Sequence, residues 1–171
     1  MKTEVTVDGD VDLHELYRVA AARLTAQLFG VTGDYAEAQD AVHEAFARVL
    51  ARPGRLRGVD NPEAWLRTVA LNVARSRHRR RVLFERLART GRLRRDDVVA
   101  PLSPDHVALV AALQTLPRPI REAVVLHYIA DQPVAEVAGT LGCSVEAVKT
   151  RLSRGRRALA AAITDQEATR A

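Results

Sequence analysis

The chain has one cysteine, Cys143, so no internal disulfide can form, and its five histidines (His14, His43, His78, His106 and His127) are too far apart for a local zinc motif. No metal and no cofactor is expected. Cys143 follows Gly142 just before a helix start and reads as a small buried hydrophobe rather than a redox switch. No apolar run approaches the roughly 18 residues that a membrane span needs, so no membrane insertion is expected. "MKTEVTVDGDVDL" carries acids where a signal peptide carries a basic end and a greasy core, which points to the cytoplasm. Catalytic spellings are missing as well: there is no HExxH, no GxxxxGK phosphate loop and no nucleophile elbow. Neither an enzyme nor a small-molecule substrate is expected. Lysine is nearly absent, two against 24 arginines, which fits a GC-rich genome better than any mechanism.

What the chain does hold is arginine, unevenly spread. The net charge is +5, yet residues 75–95 carry ten arginines against Glu85 alone, while the segments on either side are slightly acidic. Such a block suits nucleic acid or another polyanion. Aromatic residues are only 4% of the chain, so stacking platforms for unpaired bases are few.

Apolar residues recur at helical spacing, there is no convincing alternation of period two, and no internal repeat is found. The fold expected is all-α. Leu13, Leu16, Tyr17, Ala20, Leu24 and Leu28 predict a first helix from Val11 to Phe29, ended by Gly30 and Gly33. Asp34 with Glu37 forms a capping-box-like start for a second helix running to about Ala51. Its core face is Ala38, Val42, Ala45, Phe46 and Val49; Glu37, Asp40 and Glu44 fall on a separate acidic face. After a loop rich in glycine and proline, Asn61 and Pro62 start a third helix. Trp65, Leu66, Val69 and Val73 are its core face, and Asn72, Arg75, Ser76, Arg79 and Arg80 its other side.

From Val82 to Pro104 the periodicity weakens and prolines appear, which predicts a flexible basic linker between a three- or four-helix domain at 11–81 and a second helical domain at 105–163. Fully extended, this linker reaches at most about 75–80 Å, enough for two modules to dock about two DNA turns, roughly 70 Å, apart. Helices are expected in the second domain at about 105–116, 118–130, 133–141 and 145–163.

The last two of these have the spacing of a helix-turn-helix: Ala138 where helices cross, Gly142 in the tight turn, Val148 as the apolar anchor. Leu141, Val145, Leu152 and Leu159 complete the inward face, Ser144 caps the second helix, and Glu146 suits its positive end. Lys149, Thr150, Ser153, Arg154 and Arg157 then share one outward surface able to reach phosphates or guanine edges.

Taken together, "AEAQDAVHEAFARVL", "NPEAWLRTVALNVARSRHRRR" and "LQTLPRPIREAVVLHYIADQPVAEVAGTLGCSVEAVKTRLSRGRRAL" resemble the extracytoplasmic-function (ECF) sigma factors, small RNA polymerase sigma factors that keep only regions 2 and 4. The resemblance implies a dissociable subunit that brings core RNA polymerase to promoter DNA, region 2 opening the minus-10 element and region 4 reading the minus-35 element. It implies polymerase contacts, to basic clamp helices, at Asp40 and Glu44. Asn72, Arg75, Arg79 and Arg80, with the loop Arg55 to Asn61, match the surface applied to the minus-10 strand. Lys149, Thr150, Ser153 and Arg154 match the major-groove readers, and Arg151, Arg156 and Arg157 phosphate contacts.

The same resemblance implies an anti-sigma factor that covers both DNA faces. Trp65 is assigned to the core by its spacing with Val69 and Val73 rather than to base stacking, so opening depends on an easily melted sequence and promoter choice is strict. His43 stands where the family has glutamine. Pro133 replaces a serine cap, leaving Gln132 as a weaker one. The competing reading is a stand-alone helix-turn-helix regulator whose first domain senses a signal or dimerises.

Overall fold

The computed structural model describes residues 12–88 and 103–170, with 88 and 163–170 described by backbone alone. Among them are seven α-helices and no strand: α1 Leu13–Thr32, α2 Tyr35–Leu50, α3 Pro62–Ala88, α4 Pro104–Gln114, α5 Arg118–Val124, α6 Val134–Leu141 and α7 Val145–Arg170. The described residues divide into two compact units, residues 12–28 with 34–88 and residues 29–33 with 103–170. Residues 89–102, most of the expected linker, lie outside the described residues.

The first unit is built on α2 lying along α3. Ala38, Val42, Ala45 and Val49 of α2 are buried with Leu66, Ala70, Val73 and Ala74 of α3, and α1 adds Ala20, Leu24 and Leu28. Each large aliphatic side chain so removed from water stabilises the unit by about 1.5–3 kcal/mol. Polar groups complete the fit. Arg67, only 6% exposed, donates from Nε to Gln27 Oε1 at 2.8 Å and from Nη2 to Glu63 Oε1, and Glu63 also accepts from Arg23.

Capping follows the local sequence. Asp34 accepts a hydrogen bond from the Glu37 amide at 2.9 Å and Asn61 one from the Ala64 amide at 3.0 Å. Asp34→Ala is expected to cost the first unit about 0.5–2 kcal/mol, read as a fall of several degrees in its thermal midpoint.

Three expectations about helix extent need correction. Gly30 does not end α1; the helix continues to Thr32 and stops at Gly33, whose φ of +72° is the left-handed conformation that glycine adopts at little cost. A glycine inside a helix costs about 1 kcal/mol, and burial of Val31 beyond it offsets that. The third helix runs to Ala88, seven residues past the expected boundary, because Leu83, Glu85, Arg86 and Leu87 are good helix formers and continue the helix even without a core face. The last helix likewise continues to Arg170 rather than 163.

In the second unit α7 packs on α5 and α6, and α4 on α5 and α7. Val110, Leu113, Leu116, Val124, Val125, Val137, Val148 and Leu152 are buried there. The expected single helix over 118–130 is instead α5 followed by a π turn, Val125–Ile129, closed by the Ala130 amide on the Val125 carbonyl at 2.9 Å. Gln132 does not cap α6 with its side chain: its Oε1 is buried without a hydrogen-bond partner, while its carbonyl oxygen is bonded to His127 Nδ1 at 2.8 Å. Proline at the cap position sets the start of α6 alone.

Candidate nucleic-acid interface

The helix-turn-helix of the second unit is formed by α6 and α7. Gly142 ends α6 at φ +64°, and the Cys143 amide reaches back to the Ala138 carbonyl at 3.1 Å. Ser144 Oγ then accepts from the Ala147 amide at 3.1 Å, starting α7. Ala138 and Val148 are buried at the crossing.

Gly155 was missed by the sequence reading. A methyl group built on it would lie 2.5 Å from Val124 Cγ2 and 3.1 Å from Ile120 Cγ2, so α7 approaches α5 closer than any side chain at 155 permits. Its signal was available: Val148, Leu152, Gly155 and Leu159 fall on one helical stripe.

At 100° per residue, Lys149, Thr150, Ser153, Arg154 and Arg157 fall within about 140° of arc, opposite buried Val148, Leu152 and Gly155. Lys149, Thr150, Arg154, Arg156 and Arg157 are exposed; Arg151 and Ser153 are half-buried. Lys149 Nζ bonds Glu146 Oε1 at 2.8 Å, a pair so exposed that solvent screens most of its attraction. Arg151 turns toward the helix-turn-helix, its Nη1 donating to Cys143 Sγ at 3.4 Å. Val145, expected inward, is 39% exposed, and Leu141 and Leu159 are half-buried.

On α3 the arginines divide into two sets. Asn72, Arg75 and Arg79 lie within about 60° of arc, nearly opposite Arg77 and Arg81. Asn72, Arg79 and Arg80 are exposed and Arg75 half-buried. Trp65 and Val69 are half-buried rather than in the core expected of them, whereas Leu66 and Val73 are fully inside. Over the loop Arg55 to Asn61, Leu56 is buried as the anchor and Gly58 turns the chain at φ +71°.

The second set faces α2, a pairing the sequence reading did not make. Arg81 binds Glu37 at 2.6 Å; Arg77 binds Glu44 at 2.7 Å and Asp40 at 3.5 Å; Arg48 adds a second bond to Glu44. Glu37 is thereby buried with its charge matched, whereas Asp40 and Glu44 keep 52% and 34% side-chain exposure. Burial pulls the Glu44 carboxyl upward, but hydrogen bonds from Arg48 and Arg77 outweigh it and hold the group below the ordinary carboxylate range. His43, on the same helix, is hydrogen-bonded through Nε2 to the Tyr17 hydroxyl at 3.0 Å.

Residues 15–83 match Sigma-70 region 2, and residues 106–159 match Sigma-70 region 4. An ECF RNA polymerase sigma factor of Mycobacterium tuberculosis, SigL, is 30% identical over 165 residues that cover 92% of each chain. The chain belongs to the ECF RNA polymerase sigma factors.

A probable RNA polymerase sigma factor of Xanthomonas campestris, RfaY, is 32% identical over 78% of this sigma factor, which spans only 36% of that relative's length. Among solved structures, the sigma factor RpoE of Bartonella quintana, in complex with the anti-sigma factor NepR, shares the fold at a TM-score of 0.75 and 23% identity, over 86% of this chain and 94% of that one. The all-α fold is thus shared with that sigma factor, and the role of the family shown by the sequence relatives is promoter recognition. Regions 2 and 4 in one chain set aside a stand-alone regulator. No helix among the described residues is long and apolar enough to cross a membrane.

Proposed function

We propose that this sigma factor binds core RNA polymerase through Asp40 and Glu44, engages the minus-10 strand with Asn72, Arg75, Arg79 and Arg80, and reads the minus-35 major groove with Lys149, Thr150, Ser153 and Arg154. Arg151, Arg156 and Arg157 contact phosphates, and the domains are 11–81 and 105–163 joined by a basic linker. It acts in the cytoplasm, where the polymerase and promoter are, and performs no catalysis of its own. An anti-sigma factor binds and regulates it; the Bartonella sigma factor to which it is similar was solved in complex with the anti-sigma factor NepR.

The observation that carries this reading is the outward arc of α7: a glycine-turned, serine-capped helix holds three cations and two hydroxyls away from its core. Cations at that spacing bind phosphates and bidentate guanine edges, and hydroxyls adapt to neighbouring bases. Transcription of a promoter library by the reconstituted holoenzyme tests it. Shared minus-10 and minus-35 elements among the active members support the reading; initiation with no upstream preference contradicts it.

The polymerase contact has its own test. Reversing Asp40 and Glu44 together, each to arginine, is expected to weaken holoenzyme formation by several kcal/mol, since like charges then meet the polymerase's basic helices. Minus-35 DNA binding by the 105–163 segment has no reason to change. Equilibrium titration of labelled sigma factor with core enzyme measures the first, and normal affinity in the reversed variant refutes the role of these carboxylates.

A further inference from the structure

The polymerase-facing acids are already occupied from within. Arg77 reaches across from α3 to both Asp40 and Glu44, and Arg48 holds Glu44 from one turn further along α2. Two carboxylates against two guanidiniums leave this patch without net charge, although its spacing on α2 looks acidic. A basic partner arriving there meets a neutral surface, and must displace or share the internal cations before it gains full attraction from either carboxylate. All four side chains are partly exposed, so a partner can reach them.

We infer that Arg77 is an internal competitor for the polymerase site: its guanidinium occupies the carboxylates that polymerase needs and so holds the affinity of this sigma factor for core enzyme below what the acidic face alone would give. The inference rests on Asp40 and Glu44 being the polymerase contacts. It assigns Arg77 a role separate from the DNA-facing arginines of the same helix, because Arg77 lies nearly opposite Asn72, Arg75 and Arg79. A competitor of this kind favours exchange, since a weakly held sigma factor is released more readily to a rival. It also makes the free protein's acidic patch less adhesive to other basic surfaces.

The test compares full-length Arg77→Gln, Arg77→Lys and Glu44→Gln in equilibrium titrations with core polymerase. Arg77→Gln is expected to bind about three- to tenfold tighter at low salt, with an advantage that shrinks as salt screens the uncovered charge. Arg77→Lys, which keeps the cation, stays close to the wild-type affinity, and Glu44→Gln binds more weakly. Weaker binding by Glu44→Gln together with unchanged or weaker binding by Arg77→Gln overturns the competitor while leaving the polymerase face intact. Unchanged affinity in Glu44→Gln overturns the face and the competitor with it. Should Arg77→Gln lose its helical circular dichroism, Arg48→Gln removes the other cation without disturbing α2 against α3. It is expected to tighten binding in the same direction, and failure to do so overturns the inference.

Discussion

Gly155→Val is expected to cost the second unit about 2–3 kcal/mol and to lower its thermal midpoint by roughly 10–20 °C. Helix propensity alone points the other way, since valine is a better helix former than glycine by a few tenths of a kcal/mol. Packing decides the sign. Even a Cβ at 155 would meet Val124 Cγ2 at 2.5 Å, and Val124 is a stiff, β-branched side chain only 3% exposed, with no flexible end to swing away. The two helices would have to separate. Because the outward arc of α7 is rigidly opposite Gly155, a displaced α7 carries Lys149 and Arg154 off the bases they are proposed to read, so minus-35 binding falls with stability. Thermal unfolding of Gly155→Val beside Gly155→Val with Val124→Ala separates this cause from others, since the second substitution removes the methyls that collide and should recover part of the loss. A midpoint at or above the wild-type value would show that α5 and α7 have room to spare.

Gly155 also shows where the sequence ran out. Features set by neighbours in the chain were legible: the caps at Asp34, Asn61 and Ser144, the turn at Gly142, and the buried anchors Ala138 and Val148 all stand as their spacing implied. Features set by neighbours in space were not. The π turn after α5 depends on how Val125 and Leu126 reach the core, which no periodicity encodes. The final turns of α3 lack the apolar stripe used to find helices: Leu83, Phe84 and Leu87 are well exposed, so a pattern search sees a linker where helix-forming residues simply continue.

The ion-pair ladder lies between these cases. Acids at 37, 40 and 44 and arginines at 77 and 81 have matching helical spacing, and two helices running antiparallel would bring the ends together in the observed order. Arginines counted as a single basic block hid that division of labour. One helix uses Arg77 and Arg81 to hold its neighbour and turns Asn72, Arg75 and Arg79 the other way. The net charge of the block therefore overstates what is available to DNA.

On α7 no such division reduces the outward cations, and the second large effect follows from that. Lys149→Ala and Arg154→Ala are each expected to cost about 1–3 kcal/mol of promoter binding and to relax preference at one or two minus-35 positions. Arg157→Ala is expected to weaken all sequences about equally and to reduce the salt slope by about one. Lys149 surrenders little on leaving Glu146, because an ion pair this exposed contributes only about 0–1 kcal/mol. Arg154 and Arg157 have no ion-pair partner among the described residues. None of the three side chains is buried, so their removal should leave the thermal midpoint nearly unchanged. Holoenzyme transcription from a library randomised over the minus-35 element reads the two classes apart: a changed sequence preference marks a base reader, and a uniform loss marks a phosphate contact. Unchanged preference in both Lys149→Ala and Arg154→Ala would move the reading surface off this arc, because a helix whose outward side chains can be deleted without altering base choice is held in the groove by charge alone.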